Sequence, residues 1–428
     1  MTQGGLSVVL LETPVPQLEE DGVQAPGGPV SLATYAAQLG FSVTVCDLAG
    51  VPPNRLRERV PPAKVYGFSL YSVTNSIALD LLADLRRSVP DAFFVAGGPH
   101  ASALPAEVSR DFDTVVVGEG ELAFADVLRS LSAGRTPPRI MRAVPIADLD
   151  ALPFPDYQRF CRLESYTRAV AGRPAISLDS SRGCPFRCRF CNSRVQERGR
   201  WRSRSSESVA REVAGHVERG WTAFRFNDDS FAADPQRVAA ICRLLRPLGI
   251  RFRIFARAED LTSPRICELL AEAGCVHVSF GVESLSPAML GRMGKATSVA
   301  RIRAGIDAAH ASGMRVRGYF VIGFPGETND TVAESIGGLD GLHLDEAMVY
   351  PCIPYPGTDL FARPDYYGIT WMDPDFSHYV QVGRSRSAGF VMHTRTFGPD
   401  EVREWRALFI SAIESLGIGW YGERGVAQ

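Results

Sequence analysis

The chain has 428 residues, of which 45% are hydrophobic and 22% charged, and its formal net charge is −2. This length accommodates two or three domains with separate cores, and the nearly balanced charge excludes a general electrostatic attraction to nucleic acid or to an anionic membrane. The N-terminus lacks the basic flank and apolar stretch of a signal peptide, and no apolar run of about 18 residues occurs, so we expect a cytoplasmic protein without a membrane span.

The N-terminal third alternates short apolar runs with helical patterns. Strands are predicted at 6–11, 43–46, 65–69, 93–96 and 114–117, and helices at 32–39, 75–87 and 121–131. Apolar runs of this length are typical of parallel strands that are buried on both faces. Residues 1–135 are therefore predicted to form a doubly wound, Rossmann-like α/β domain.

Small residues and glycines follow three of these strands. The positions in these loops that we expect to contact a ligand are Ser69, Tyr71, Gly97, Gly98, His100, Gly118 and Glu119. Ligands of doubly wound sheets bind beyond the carboxyl ends of the strands, and glycine allows the backbone to approach them closely. Each loop alone is weak evidence for a ligand site, because tight turns contain glycine for conformational reasons as well. A single histidine in a loop is more often a structural hydrogen-bonding group than a ligand contact.

A second region follows an irregular, proline-containing stretch at 136–168, which we interpret as a linker. Residues 169–362 contain six predicted strands, at 175–178, 224–226, 250–254, 276–280, 316–322 and 346–350. Asp234 before Pro235 is a helix-start signal between two of them. Residues 363–428 are predicted to be a C-terminal extension with a helix near 400–416, to which the sequence assigns no function.

Three of the nine cysteines, Cys184, Cys188 and Cys191, follow the first strand of this region in a loop. The other six are scattered, which argues against a disulfide framework. Three thiolates are too few to complete a tetrahedral zinc site or to ligate every iron of a [4Fe–4S] cluster. The spacing therefore predicts an iron–sulfur cluster with one iron open to a small molecule, and the alternative is a cysteine cluster without metal.

The Cys-x3-Cys-x2-Cys pattern, with Phe190 before the third cysteine, resembles the signature of radical S-adenosylmethionine (SAM) enzymes. The glycine loops upstream of it resemble the cobalamin-binding domain of one class of that family. The resemblance implies a partial (β/α)6 barrel with its chemistry at the carboxyl ends of the strands, a [4Fe–4S] cluster on the three cysteines, and SAM on the open iron. It also implies cobalamin, although the chain lacks the Asp-x-His-x-x-Gly motif found where a histidine binds cobalt.

The resemblance extends to the loops after the later barrel strands. The positions expected to contact SAM are Asp228, Asp229, Arg257, Glu283, Ser284, Gly323 and Pro325. A carboxylate can pair with the SAM ammonium group, and the fork of an arginine suits the SAM carboxylate. The alternative for each loop is an ordinary turn between a strand and a helix.

Two further features have a functional and a plain structural interpretation. Eight arginines between Arg182 and Arg204, against the single acid Glu197, are expected mostly on a solvated face, and some could dock an acidic electron donor such as flavodoxin or ferredoxin. Cys352 follows the sixth strand at the mouth of the predicted barrel. Its thiol could give a hydrogen atom or an electron to a substrate radical, and the alternative is a small packed core residue.

The resemblance covers residues 6–360 and implies that a 5′-deoxyadenosyl radical abstracts hydrogen from an unactivated carbon of a small-molecule natural product. Methyl transfer from methylcobalamin to that carbon is the leading outcome. One alternative is cobalamin-independent diol dehydration of an aminoglycoside-type sugar, for which Asp229, Glu327 and Glu346 offer carboxylates. An alternative from another class is a cobalamin or redox sensor.

Overall fold

The computed structural model of the chain describes residues 5–18, 21–193, 195, 200–381 and 389–420. The chain forms two compact units. The first unit consists of Met1–Thr167, Asn192–Arg198 and Asp375–Ser377, and the second of Arg168–Cys191, Gly199–Pro374 and His378–Gln428. Within the described residues, none of the helices combines the length and the apolar character that crossing a membrane requires.

A parallel sheet of six strands forms the first unit, in the order β2-β1-β3-β4-β5-β6. The strands are β1 (Ser7–Glu12), β2 (Ser42–Asp47), β3 (Val65–Ser69), β4 (Phe93–Gly97), β5 (Thr114–Val117) and β6 (Ile140–Arg142). The helices are Gly27–Gln38, Leu56–Arg59, Asn75–Ser88, Gly98–Ala103, Pro105–Val108, Gly120–Ser132 and Tyr157–Phe160. The predicted doubly wound architecture is confirmed. β6 lies in the stretch that we interpreted as an irregular linker, and it pairs with β5 as a short edge strand.

Successive residues of β1 point to opposite faces of this sheet, because side chains alternate along a strand. Val9 and Leu11 belong to a core on one face, whereas Val8 and Leu10 belong to a separate core on the other. All four are at most 3% exposed. Burying such a side chain contributes about 1.5–3 kcal/mol, which explains why apolar runs without polar alternation form these strands.

A second parallel sheet, of seven strands in the order β19-β16-β15-β14-β13-β12-β9, forms the second unit. The strands of this unit, including three small two-stranded antiparallel sheets (β7–β8, β10–β11 and β17–β18), are β7 (Ala169–Val170), β8 (Arg173–Pro174), β9 (Ile176–Leu178), β10 (Ser181–Arg182), β11 (Arg202–Ser203), β12 (Ala223–Phe226), β13 (Arg251–Ala256), β14 (Cys275–Glu283), β15 (Arg315–Ile322), β16 (Glu346–Pro351), β17 (Ile369–Met372), β18 (Met392–Thr394) and β19 (Gly419–Trp420). The helices are Ser206–Val217, Pro235–Leu245, Pro264–Glu272, Pro287–Arg292, Val299–Ala311, Asn329–Gly337, Asp359–Ala362, Pro364–Tyr367 and Pro399–Ser415.

The six predicted barrel strands are present, and β19 extends the sheet by pairing with β16. The two residues of this strand that the structure describes are too few to give a recognisable pattern in the sequence. Asp234 caps the helix that starts at Pro235, since its carboxylate accepts from the Gln236 amide at 2.9 Å and from the Arg237 amide at 3.2 Å. Such a cap contributes about 1 kcal/mol.

The two sides of the barrel strands differ in exposure. Phe224 on β12, Phe252 on β13 and Val278 on β14 are fully buried. On the alternate positions, Phe255 and Tyr319 remain partly exposed. We call the side of the sheet that carries these alternate positions the inner side.

Candidate cofactor sites

The three cysteines lie in the loop that follows β10. Gly183 has a φ of 78°, a left-handed conformation that turns the chain directly before Cys184, and the Cys191 amide donates to the Cys188 carbonyl at 3.2 Å. All three thiols are partly buried. Burial raises the pKa of both Cys184 and Cys188 to about 11, so these thiols stay protonated until a metal displaces their protons.

The donor set is three sulfur atoms on one loop. Among the residues that the structure describes, no three His, Cys, Asp or Glu side chains converge on a single metal-ion position. In a [4Fe–4S] cluster each thiolate binds a different iron, so its ligands surround a shared volume and need not converge on one point. Three thiols on a loop at the carboxyl end of a barrel strand fit such a cluster with one iron left for another ligand.

Asp228, in the turn after β12, fixes the start of the cysteine loop. Its carboxylate accepts hydrogen bonds from the Ser180 amide at 3.1 Å, from the Ser180 hydroxyl at 2.7 Å and from the Ser181 hydroxyl. Arg237 donates to the carbonyl and the hydroxyl of Ser180, both at 2.6 Å. Because Asp228 is 2% exposed and bonded to the loop, it positions the cysteine loop, and its contact with SAM stays a prediction.

The neighbouring Asp229 is exposed, and its charge acts on the Cys184 thiol. Although the side chain reaches solvent, the protein atoms around it raise the pKa of Asp229 to about 6, and the Asp228 charge adds to this effect. The group is a carboxylate at neutral pH. Of the two adjacent aspartates, Asp229 is the one that is available to an ammonium group of a ligand.

Arg257 packs against the cysteine loop from β13. Its guanidinium carbon lies 3.7 Å from the centre of the Phe186 ring, between the first two cysteines in sequence. Its Nε donates to Glu259 at 2.6 Å, and its Nη2 donates to the Lys295 carbonyl. Within the chain, Arg257 thus binds the Glu259 carboxylate and packs on Phe186, and its contact with the SAM carboxylate stays a prediction.

Glu283 and Lys295 form an ion pair near Cys188. β14 has a register shift between Gly281 and Glu283, and Glu283 has a φ of 68°, which is uncommon for a residue with a side chain. Lys295 Nζ lies 3.1 Å from Glu283 Oε1 and also donates to the Gly281 carbonyl. Both charges act on the Cys188 thiol. Strained backbone of this kind often marks functional sites.

The sequence analysis singled out Glu283 but missed its partner. Lys295 is one of only two lysines in the chain, the other being Lys64. Because lysine is so rare in this arginine-rich chain, its presence at position 295 is the sequence signal that could have identified Lys295 as a site residue.

Ser284 has partners within the protein. Its hydroxyl lies 2.9 Å from the Ser335 hydroxyl and accepts from the Ser286 amide at 3.1 Å. Ser284 is 1% exposed and holds the turn after β14, and its contact with SAM stays a prediction.

Gly323 and Pro325 lie in the loop after β15, and Pro325 is buried. Gly323 has a φ of 80°, and its amide donates to the Glu327 carboxylate. A Cβ at position 323 would come within 2.8 Å of Val402, so only glycine fits. Burial raises the pKa of Glu327 to about 7, while hydrogen bonds from the Gly323 and Phe324 amides oppose this shift. The loop presents a fixed backbone at the end of the strand.

Cys352 is packed inside an apolar cluster with Met289, Met293 and Phe324. It is 4% exposed, and its amide donates to the Ile322 carbonyl at 2.7 Å. Burial raises the pKa of the thiol above its ordinary range. These contacts favour the packed core residue that was its alternative, and a catalytic role of Cys352 stays a prediction.

The structural partners of two of the eight clustered arginines are clear. Arg204 pairs with the buried Glu212, and Arg189 donates to the Arg292 carbonyl at 3.1 Å. Docking of an electron donor stays a prediction. Outside the described residues lie Arg194, Glu197 and Arg198.

In the first unit, the order of strands reverses between β1 and β3, and doubly wound sheets bind ligands at such a switch point. Glu12 ends β1 opposite Ser69, the last residue of β3. Burial raises the pKa of Glu12 to about 8, and a hydrogen bond with Ser69 opposes this shift. Within the described part of the chain, Glu12 Oε2, Thr13 Oγ1 and His100 Nε2 are buried without a hydrogen-bond partner. Such atoms call for a ligand or water.

His100 is 1% exposed and lies beyond β4. Its Nδ1 is 3.0 Å from the Ser72 hydroxyl, and its ring packs edge-on against Phe376, with the ring centres 5.3 Å apart. Burial lowers the pKa of His100 to about 4. The imidazole is therefore neutral, and Nε2 is the nitrogen that remains for another group.

Open space lies over Gly97, the last residue of β4, since a Cβ there would meet no atom within 4 Å. The neighbouring Gly98 has a φ of 92°, and a Cβ there would come within 2.9 Å of the Leu70 backbone. The Leu70 amide donates to the Gly97 carbonyl at 2.9 Å, and the His100 amide donates to the Leu70 carbonyl at 3.0 Å. These bonds fix the two loops against each other, and Tyr71 beside them is 42% exposed.

The third predicted loop is bonded within the protein. The Gly118 amide donates to the Ser102 hydroxyl at 3.0 Å, and the Glu119 carboxylate accepts from the Ile146 amide at 2.7 Å. Glu119 is 7% exposed. Glu119 thus has a structural role, and its contact with a ligand stays a prediction.

Two family models match the chain. Residues 178–337 match the radical SAM superfamily, and residues 21–128 match the B12 binding domain. Residues 178–337 are thus a radical SAM region and residues 21–128 a B12-binding domain. Together with the three-cysteine loop, these two regions imply three cofactors: a [4Fe–4S] cluster, SAM and cobalamin.

Known proteins similar to the chain include methyltransferases. An uncharacterized methyltransferase of Pyrococcus horikoshii is 33% identical over 294 residues, which span 63% of this chain and 62% of that protein. The bacteriochlorophyllide d C-12(1)-methyltransferase of Chlorobaculum tepidum is 23% identical over 85% of this chain and 79% of its own length. The solved radical SAM methyltransferase TsrM from Kitasatospora setae, with cobalamin and a [4Fe–4S] cluster bound, shares the fold at a TM-score of 0.71 and 18% identity, over 96% of this chain and 89% of that chain.

Proposed function

We propose that this protein is a cobalamin-dependent radical SAM methyltransferase that methylates an unactivated carbon of a small molecule. One observation carries the proposal: a single chain combines a three-cysteine loop on a barrel with a B12-binding sheet, at whose switch point some buried polar atoms have no hydrogen-bond partner among the described residues. When bound, the cluster supplies an electron to SAM, and cobalamin supplies the methyl group. The similarity to the Pyrococcus and Chlorobaculum methyltransferases supports methyl transfer.

In the barrel, the chain's own residues would bind and orient SAM. Cys184, Cys188 and Cys191 would hold the cluster. Asp229 is the exposed carboxylate suited to the SAM ammonium group, and the Glu283–Lys295 pair offers a cation and an anion beside Cys188. The loop of Gly323 and Pro325 would give SAM backbone contacts.

In the first unit, cobalamin would lie over the carboxyl ends of β1, β3 and β4. Glu12 as a neutral carboxyl and His100 as a neutral imidazole can each hydrogen-bond to the amides that surround a corrin ring. Gly97 leaves room for the ring, and the exposed Tyr71 can pack on it.

A steric substitution tests this assignment. Gly97→Leu keeps an extended backbone that any residue adopts, since φ is −147°, but it fills the open space over β4. The protein is purified without oxygen, loaded with iron and sulfide, incubated with hydroxocobalamin and desalted. We expect wild type to retain corrin absorption and Gly97→Leu to lose at least nine tenths of it, while both keep the [4Fe–4S] absorption.

Gly215→Leu is the matched control, because a Cβ there also meets no atom within 4 Å and the residue lies on a helix of the second unit. It should retain corrin like wild type. Corrin retention by Gly97→Leu would contradict the site, and a wild-type chain that cleaves SAM yet binds no corrin would contradict cobalamin dependence.

The diol-dehydration alternative has no specific observation in its favour and stays a prediction. Product analysis of the same reactions would reveal it as loss of water in the absence of cobalamin. The match to an enzyme class argues against the sensor.

A further inference from the structure

Met293 and Gly294 pack against the cysteine loop on both sides of Cys188. The amide of Arg189, the residue directly after Cys188, donates to the Met293 carbonyl at 2.9 Å. Gly294 has a φ of 68°, and a Cβ there would lie 3.4 Å from the carbonyl oxygen of Arg187, the residue directly before Cys188. These contacts hold the next residue of the chain beside Cys188.

That next residue is Lys295, and a second contact ties its backbone to the cysteine loop. Arg257 Nη2 donates to the Lys295 carbonyl, and the Arg257 guanidinium carbon lies 3.7 Å from the centre of the Phe186 ring. Arg257 Nε donates to Glu259 at 2.6 Å, so the charge of Arg257 is paired within the protein. The backbone position of Lys295 is therefore fixed independently of its own side chain.

The Lys295 side chain carries a buried positive charge. It is 3% exposed, and its partner Glu283 is 12% exposed. Lys295 Nζ lies 3.1 Å from Glu283 Oε1 and also donates to the Gly281 carbonyl. Water and salt screen buried charges much less than exposed ones. The pair can therefore act on the groups beside it.

The two charges of this pair do not act equally on Cys188. Of the charges that act on the Cys188 thiol, that of Lys295 has the largest effect, and the opposite charge of Glu283 comes second. The pair thus acts on Cys188 as a net positive charge. Reduction adds a negative charge to an iron–sulfur cluster, and the local charge is one of the factors that set its reduction potential.

We propose that Lys295 raises the reduction potential of the cluster held by the three cysteines, and that Glu283 limits this effect. In the reduction, a low-potential one-electron donor transfers one electron to the cluster, and no covalent bond forms or breaks. The ammonium group of Lys295 stabilises the added charge. The inference rests on the proposed function for the presence of the cluster, but the reduction potential can be measured without turnover.

The test is a redox titration of the full chain, loaded with iron and sulfide, at fixed pH and ionic strength. SAM is left out, so that contacts of the pair with SAM do not contribute. Electron paramagnetic resonance quantifies the reduced cluster. At the wild-type midpoint, Lys295→Met should lower the ratio of reduced to oxidised cluster at least tenfold, or about 59 mV for a one-electron couple. Glu283→Gln should raise this ratio at least threefold.

Three variants serve as controls. Lys295→Arg keeps the charge and should give the wild-type ratio within twofold. Lys64→Met removes the same charge from an exposed position, Glu107→Gln removes an exposed acid, and both should match wild type. If Lys295→Met does not fold, the double variant Lys295→Met with Glu283→Gln leaves neither charge of the pair buried alone. Its ratio must then lie at least twofold below that of wild type, because Lys295 acts more strongly than Glu283.

An unchanged ratio in Lys295→Met would overturn the inference. Shifts of the same sign in Lys295→Met and Glu283→Gln would also overturn it, because they would indicate a disturbed loop and not an effect of charge. An equal shift in Lys64→Met would identify a general effect of net charge and count equally against Lys295.

The same samples separate this inference from the proposed function. If the ratios shift as expected but no methyl transfer is found, the proposed function fails and the role of Lys295 stands. Methyl transfer with unchanged ratios gives the opposite result. A wild-type chain that assembles no [4Fe–4S] cluster would contradict both.

Discussion

Glu12 is a carboxyl group at the end of a buried strand, and its environment makes stability depend on pH. Burial raises its pKa in the folded chain to about 8, whereas an ordinary glutamate titrates near 4.5. Between these values the folded state binds a proton that the unfolded state does not. The contribution of the group to stability is therefore fully present below pH 4.5 and is lost as the pH rises through 8.

We expect Glu12→Gln to melt at a higher temperature than wild type at pH 9 and to lose this advantage at pH 5. Thermal unfolding of the cofactor-free chain at several pH values measures the difference. Glu107→Gln, at an exposed position, is the control, because it changes the net charge by the same amount as Glu12→Gln. A constant difference between Glu12→Gln and wild type across the range would contradict the raised pKa.

At the scale of elements, the turn after β12 divides two tasks between adjacent aspartates. Asp228 bonds to Ser180 and Ser181 and so fixes the cysteine loop, whereas Asp229 is exposed beside Cys184. Asp228→Ala should lower iron incorporation at least threefold, because the loop loses three hydrogen bonds at its start. Asp229→Asn should keep the iron content and weaken SAM binding about tenfold, since an amide no longer attracts the ammonium group.

Iron and sulfide analysis, followed by equilibrium dialysis with SAM, separates the two effects. The variants are matched, since they alter neighbouring residues of one type in one turn. The division of tasks would be wrong if Asp229→Asn lost iron while Asp228→Ala kept it.

Some features of the fold and of the candidate site could be predicted from the sequence, and others could not. The long strands were predictable because each is a continuous apolar run buried by the sheet, and the cysteines because few chemistries use three thiols at that spacing. β6 and β19 were not predicted, because an edge strand with only two or three described residues leaves no periodic pattern in the sequence. Asp228 and Asp229 could not be distinguished, because their roles depend on the direction in which each side chain leaves the turn.

The sequence also did not predict which side chains pair across segments that are far apart along the chain. Arg257 was predicted to bind a cofactor carboxylate, whereas the contacts of its guanidinium with Glu259 and the Phe186 ring were not predicted. The pairing of Glu283 with Lys295 depends on the irregularity in β14, which reorients Glu283.

At the scale of the whole molecule, each unit has a core of its own and a separate set of candidate cofactor contacts. β1, β3 and β4 carry one set, and the loops after β10, β12, β14 and β15 carry the other. Loss of one cofactor should therefore leave the binding groups for the other in place. The corrin and iron measurements proposed above are independent readouts for this reason.

The scarcity of lysine has a practical consequence for the molecule as a whole. Lys64 is exposed, whereas the Lys295 side chain is 3% exposed and paired with Glu283. An amine-reactive acetylating reagent should modify Lys64 at least tenfold faster than Lys295, as measured by peptide mass spectrometry, and denaturation should equalise the two rates. Equal rates in the native chain would contradict the buried pair. The rate at Lys295 then reports, without any engineered label, each opening of the region beside the cluster ligands.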